Sequence, residues 1–514
     1  MKYLSEITRI VTNFQEQKPE IIEQDDVREG DNAISKLFNG LRNGSITTDQ
    51  KAAEVIYGKA ITDTKFTSLK NRLKRRLLNS LFFLNIRPPT FSEYAAAYYQ
   101  SNKNLFLVKT LSALGARNTA IKLLESALVH SQKFNITPNS IEFLLLLRTH
   151  SYLSGNIKTY NHYNNQLHQT IKTYEAECLA QEYNDRVAIN FTHSSAEQPE
   201  MQSVIEKYCE ELRELKSRYS SKNLYYNFYR IQTISFQISR NYDDAIAICD
   251  EASQYLQQNA FLATKPQFEE FALQKLSCLL SLRKYDEGME AVSQCEALIP
   301  VGFPNWFTYM ELYFYLAMHT SHFDEAKSVY DKVTSNQRFA FQPDQGKELW
   351  KLSELYLMFA LRANDLVKSD VGLGADDMKK FLRNVPLYTK DKKGYNVAIL
   401  ILHILVLLQN NEFGEIIGRM DALRTYRTRY LRAGSNKQSA LFFRMLQIME
   451  TNNFSYELTK QKSARYFEKM KSTAAEFSEI QDGLQVLPFD WLWNKILEML
   501  KQKEEQKIIQ KVIK

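Results

Sequence analysis

Positive charge gathers in two places along this chain of 514 residues. In segment 65–76 (KFTSLKNRLKRR), Lys65, Lys70, Arg72, Lys74, Arg75 and Arg76 occur without a single acid. Phe66, Leu69, Leu73 and Leu77 recur beneath them at helical spacing, so the segment predicts a helix with an apolar stripe and a basic face. In the second place, Arg424, Arg427, Arg429 and Arg432 alternate with Tyr426 and Tyr430 at the end of a predicted helix. The preceding helix starts just after Lys390, Lys392 and Lys393. In an antiparallel hairpin these cations meet at one end, with Lys437 on the exit loop. Guanidinium groups among aromatic rings suit phosphate contacts and base stacking, or any other anionic ligand. A plainer reading stands beside each. For 65–76 it is a solvated face on a helical cap, and there it is preferred. For 424–432 it is arginine complementing a helix C-terminus and nearby acids, and the two readings stand level.

Other chemistry is thinly represented. His319 and His322 are spaced to share a metal with Asp324 nearby, but they fall in a predicted turn between two helices, where a structural role is preferred. His403 lies inside an apolar run and reads as a core histidine. The pair Asp243–Asp244 opens a helix, where capping explains it. No phosphate-binding loop, nucleophile elbow or zinc-helix motif occurs, and Gly372 with Gly374 does not make a dinucleotide fingerprint. The expectation is therefore a chain that is not an enzyme and takes no cofactor and no metal. Cys178, Cys209, Cys249, Cys278 and Cys295 are far apart with no C-x-x-C pair, which fits reduced thiols and a cytoplasmic location.

The elements that must position these residues are helices. Only 16 glycines and 11 prolines punctuate the chain, too few for many short strands and turns. Leu4, Ile7, Val11 and Phe14 give the N-terminus helical periodicity, with Glu6 and Arg9 breaking any signal-peptide core. The most apolar run, 397–408, is too short to span a bilayer and reads as a buried helix, so no membrane is expected. The formal net charge of +7 is modest for this length, so only its distribution is informative.

Four segments share one local pattern. In NYDDAIAICDEA the residues Ala245, Cys249 and Ala252 stand four and three apart. Gly288, Val292 and Cys295 do so in KYDEGMEAVSQC, which Pro300 closes, and Ala326, Tyr330 and Val333 do so in HFDEAKSVYDKV. Ala120, Leu124 and Ala127 form a weaker copy in ARNTAIKLLESA. A small residue lets the second helix of a hairpin approach the first, and the residues four and seven further on line the same face. Tyr242, Tyr285 and Phe323 plug the turn, and the acids after them suit a helix N-terminus.

This pattern resembles tetratricopeptide (TPR) units, although the repeats are longer than the regular period of about 34 residues. The usual Leu-Gly pair of the first helix is also replaced by Gln232-Thr233, so the likeness is to a degenerate, TPR-like repeat. The stretch FLRNVPLYTKDKKGYNVAILILHILVLLQ is similar to TPR-like proteins of Bacteroidota. The helix 49–57, ending at Gly58 and followed by the basic helix, resembles a helix-turn-helix with a longer turn than usual.

The expected architecture is all-α: a right-handed α-solenoid of antiparallel helix hairpins behind a short N-terminal helical unit. Its divisions are a helix at 1–17, an acidic linker at 18–32 and a helical unit at 33–87. TPR-like repeats follow at 88–362, further hairpins at 363–485 and a capping helix at 486–514. Such an array implies a scaffold that binds a protein or peptide partner on its concave face. The alternative is a nucleic-acid-binding regulator that uses Lys70, Arg72, Lys74, Arg75 and Arg76, or the cluster of Lys392, Lys393, Tyr426, Arg427, Arg429, Tyr430 and Arg432.

Overall fold

The computed structural model describes residues 1–14, 29–58, 64–84, 86, 92–193, 198–364, 395–430, 437–472 and 485–513. The expected linker 18–32 falls largely outside them, as do the loop at 194–197, the GLGADD stretch 372–377 and the lysines at 390, 392 and 393. Every regular element among the described residues is helical. The chain divides into two compact units, Met1–Tyr174 and Glu175–Lys514.

In the first unit, α1 (Lys2–Phe14), α2 (Glu29–Arg42), α3 (Asp49–Tyr57) and α4 (Thr64–Ser80) enclose one core. Leu4, Val11, Ile34, Leu37, Leu73 and Leu77 fill it. Two hairpins follow, α5 (Glu93–Ala113) with α6 (Arg117–Lys133), and α7 (Thr137–Leu153) with the start of α8 (Ile157–His193). Helix α8 continues past the unit boundary, so its second half belongs to the other unit.

The second unit continues with α9 (Gln198–Arg218) and the hairpins α10 (Lys222–Ile238) with α11 (Tyr242–Gln258), α12 (Lys265–Leu282) with α13 (Tyr285–Leu298), and α14 (Pro304–His319) with α15 (Phe323–Thr334). Then come α16 (Asp344–Ala363), α17 (Tyr395–Gln409) with α18 (Phe413–Tyr430), α19 (Lys437–Thr451) with α20 (Tyr456–Lys471), and α21 (Phe489–Ile513). The fold is thus all-α and made of TPR-like antiparallel hairpins.

The small–large–small stripe does what its spacing predicts. Ala120, Leu124, Ala127, Ala245, Cys249, Ala252, Val292, Cys295, Ala326 and Val333 are all buried. Tyr330 is half-buried against the same core. Gly288 is the tightest case: a methyl group on its Cα would stand 2.4 Å from Cδ2 of Leu316 on the neighbouring α14. The turn plugs Tyr242 and Phe323 are buried, and acids occupy the first turns of α11, α13 and α15.

One turn geometry recurs in these hairpins. A single residue swings into the left-handed region: Gly115, Gly155, Arg240, Arg283, Ser321, Asn411 or Asn453. The amide of the following residue then reaches back to a carbonyl in the last helical turn, as from Ala116 to Leu111 (2.9 Å), Asn241 to Phe236 (2.8 Å) and His322 to Ala317 (2.8 Å). This closure satisfies carbonyls that the ending helix leaves open.

Helix α21 lies across hairpin ends in the second unit. Asp490 pairs with Arg283 at 2.9 Å, and Trp491 meets the rings of Phe323 and Phe359 edge-on. Further along, Lys495 donates to the Ala363 carbonyl (3.2 Å), and Glu504 accepts the Tyr456 amide (2.8 Å) at the start of α20. One helix therefore fastens several successive hairpins, through side chains suited to helix ends.

Candidate functional site

Helix α4 carries the first basic cluster. Its apolar stripe, Phe66, Leu69, Leu73 and Leu77, is buried in the core of the N-terminal helices, as the spacing requires. On the opposite face, Thr64, Thr67, Ser68, Asn71, Arg72 and Arg75 line a shallow surface groove. Arg72, Lys74 and Arg75 are exposed and make no ion pair among the described residues. Lys70 is used differently. Its ammonium lies 2.6 Å from Asp49 and over the ring of Phe66, while the N-terminal ammonium takes the other Asp49 oxygen at 3.1 Å. The hydrogen bond from Lys70 holds the Asp49 carboxyl below its ordinary range. Arg76 is half-buried.

The preceding helix α3 is well made. Thr48 caps its start by accepting from Lys51, and Gly58 ends it at φ +70° by donating to the Glu54 carbonyl. The turn 59–63 lies outside the described residues.

The second cluster is placed only in part. Lys392, Lys393 and Arg432 lie outside the described residues, and so do the side chains of Tyr426, Arg427, Arg429 and Tyr430 at the end of α18. Its described member, Arg424, is bound to local acids: Asp421 at 2.6 Å and Glu450 on α19.

His319 and His322 point to different surroundings. His319 ends α14 fully buried, and its Nε2–H donates to the Gln485 carbonyl at 2.9 Å. Burial, reinforced by the charge of Arg283, lowers its pKa to about 3, so it is neutral at pH 7. His322 stacks on Tyr285 at 3.5 Å, with Nδ1 2.9 Å from the Thr320 hydroxyl. Among the described residues no group of three His, Cys, Asp or Glu side chains is placed to hold a metal. The five cysteines are free thiols, and only Cys178 is exposed. No described helix is long and apolar enough to cross a membrane.

Two features escaped sequence reasoning. The first is a polar seam between the first helices of neighbouring hairpins, joined by the second half of α8. Asn139 donates to Ser101 (3.0 Å), Asn227 to Gln181 (3.2 Å), Arg230 to Glu270 (2.6 Å), Gln237 to Gln274 (2.9 Å) and Asn305 to Glu269 (2.7 Å). Polar pairs of this kind, partly or wholly buried, fix register, because any slip leaves them unsatisfied.

The second is an aromatic surface in the first unit. The short 3₁₀ turn Leu81–Phe83 after α4 is tied to α5 by the Tyr99 hydroxyl, which donates to the Leu81 carbonyl at 2.6 Å. That tie brings Phe82 to 5.2 Å from Phe106. Phe83, Phe106 and Tyr98 remain 63%, 54% and 51% exposed.

By contrast, first helices in the second unit offer little free surface. Every residue from Ala398 to Leu408 is buried, and α14 exposes only Pro304 and Thr308.

No protein-family model matches the chain, and no curated protein does. Among solved structures, the chain is similar to the crystal structure of the P58(IPK) TPR domain, at 14% identity over 79% of this chain and 99% of that chain, with a TM-score of 0.20. At that score the likeness carries no argument of its own. The fold rests on the hairpins, buried stripes and turns described above.

Proposed function

We propose that this chain is a non-enzymatic cytoplasmic scaffold that holds a protein or peptide partner against the first-helix, concave face of its hairpins. The partner surface is assigned to the first unit. The observation that supports this is the exposed aromatic set Phe82, Phe83, Tyr98 and Phe106, set against first helices in the second unit that offer little exposed surface. Exposed aromatic rings are typical anchors of protein interfaces, since each buries a large apolar area at small entropic cost. Free thiols, four of them buried, suit a reducing compartment.

The test is capture from native lysate, with nuclease present, by the intact chain and by a Phe83→Ser/Phe106→Ser variant. Both rings are exposed, so the variant keeps its fold. A Phe341→Ser variant is the control, because that ring is 86% exposed and lies in the second unit. Loss of a discrete protein from the double variant alone supports the assignment. An unchanged set of captured proteins, or capture that vanishes with nuclease, overturns it.

A further inference from the structure

We propose that the outward face of α4 binds double-stranded DNA, with Arg72, Lys74 and Arg75 on backbone phosphates and Thr64, Thr67, Ser68 and Asn71 turned toward the groove. This goes beyond the scaffold assignment and does not depend on it, because the aromatic set plays no part.

Charge comes first. The seventeen residues of Thr64–Ser80 contain no acid. Three of the cations are not spent internally: Lys70 has Asp49, whereas Arg72, Lys74 and Arg75 are exposed and have no ion-pair partner among the described residues. A solvated face that served only solubility would carry mixed charge, as the faces elsewhere in this chain do. Pairs such as Lys327–Asp331, Arg186–Glu182 and Arg218–Glu214 are set one helical turn apart.

The uncharged residues between the cations add a second constraint. Thr64, Thr67 and Asn71 follow one another at three- and four-residue steps, with Ser68 beside Thr67, so they share a face directly opposite the buried Phe66, Leu69, Leu73 and Leu77. The threonines, Ser68 and Asn71 are short hydrogen-bonding side chains of the kind that contact phosphate, sugar and base edges. The face carries no large apolar residue until Leu78 near its end, which argues against a lipid surface, where an apolar face must enter the bilayer boundary.

Shape selects the duplex. The helix is anchored by one side only, leaving about half its circumference free. A helix about 10–12 Å across with its side chains fits the B-form major groove of about 12 Å, whereas the A-form RNA major groove is too deep and narrow for side chains to read. The exposed polar residues crowd the N-terminal half of α4, the part of such a helix that meets base edges when it lies in the groove.

The experiment is fluorescence anisotropy of the intact chain with a labelled mixed-sequence DNA duplex, between 50 and 200 mM salt. Wild type is compared with Arg72→Glu/Arg75→Glu and with Arg72→Lys/Arg75→Lys, each checked for unchanged helix content by circular dichroism. Two lost phosphate contacts lower the log–log salt slope by about 1.8, so wild type loses about twelvefold more affinity across this range than the charge-reversed variant. The lysine variant retains most of the slope. Should reversal disturb the helix, Arg72→Ala/Arg75→Ala is read for the same loss of slope. Absent binding by wild type, equal slopes in wild type and reversed variant, or equal binding of an RNA duplex or of anionic vesicles overturns the proposal.

Discussion

Replacing Gly288 by alanine sets two known effects against each other. Alanine is a better helix former than glycine by about 1 kcal/mol, so on propensity alone α13 gains stability. Against that stands the added methyl, 2.4 Å from Cδ2 and 3.3 Å from Cδ1 of Leu316. Ordinary contact needs about 3.5–4.0 Å, so the leucine end must move by roughly 1 Å or the helices must part. Leu316 is wholly buried among the side chains of the largest core. Overpacking of this kind costs about 1–3 kcal/mol. The steric effect wins, and the net expectation is a loss of about 1 kcal/mol in the α13–α14 contact.

A chain of stacked hairpins does not unfold in one step, so the readout is local. Amide hydrogen exchange in peptides covering 285–298 and 304–319 accelerates about fivefold in Gly288→Ala, while peptides of α5 and α6 are unchanged. Adding Leu316→Ala to Gly288→Ala costs less than the two single changes predict together, because the methyl then has room. A Gly288→Ala variant that exchanges more slowly than wild type would refute the close-approach account of the small residue in these repeats.

Two further outcomes follow from α21 and its seat. Burial works against the ionised form of Asp490, yet the hydrogen bond and charge of Arg283 carry its carboxyl below the ordinary range. That stabilisation is present above the unfolded carboxylate pKa of about 3.9 and is lost as pH falls through the lower folded value. Asp490→Asn removes this pH dependence and, by deleting a charged hydrogen bond worth about 1.5 kcal/mol, speeds exchange at 485–496 about tenfold at pH 7. For His319 the folded pKa lies below the unfolded one of about 6.5, so its contribution is full above that value and declines as pH falls toward about 3. Nitrogen-15 spectra should show its imidazole still neutral, with the proton on Nε2, at pH 5; an imidazolium signal there contradicts the burial account.

Much of the fold was legible because the repeats advertise their second helices. Ala245, Gly288 and Ala326 mark where helices meet, and the plugs Tyr242 and Phe323 mark the turns; all of these residues are buried. The buried helix around His403 was equally legible, since an apolar run with no polar face has nowhere else to go. The backbone conformation inside the turns was hidden for a physical reason. Glycine signals the left-handed residue at 115 and 155, but Arg240, Arg283, Ser321, Asn411 and Asn453 adopt the same conformation without advertising it.

The candidate sites divide in the same way. The basic face of α4 was visible because helical spacing alone separates Arg72 and Arg75 from Leu69 and Leu73. The contact between Phe82 and Phe106 was not, because a hydrogen bond from Tyr99 brings together rings from distant segments. Likewise, nothing in the spacing of His319 and His322 indicated that one would be buried against Gln485 while the other stacks on Tyr285.

The most direct test of the scaffold assignment is site-specific photo-crosslinking in living cells, with a photoreactive phenylalanine at position 106 and, in a separate chain, at position 341. Position 106 should give a discrete protein adduct that persists after nuclease, and position 341 should give none. Adducts at 341 but not at 106, or none at either, would contradict the assignment of the partner surface to the first unit.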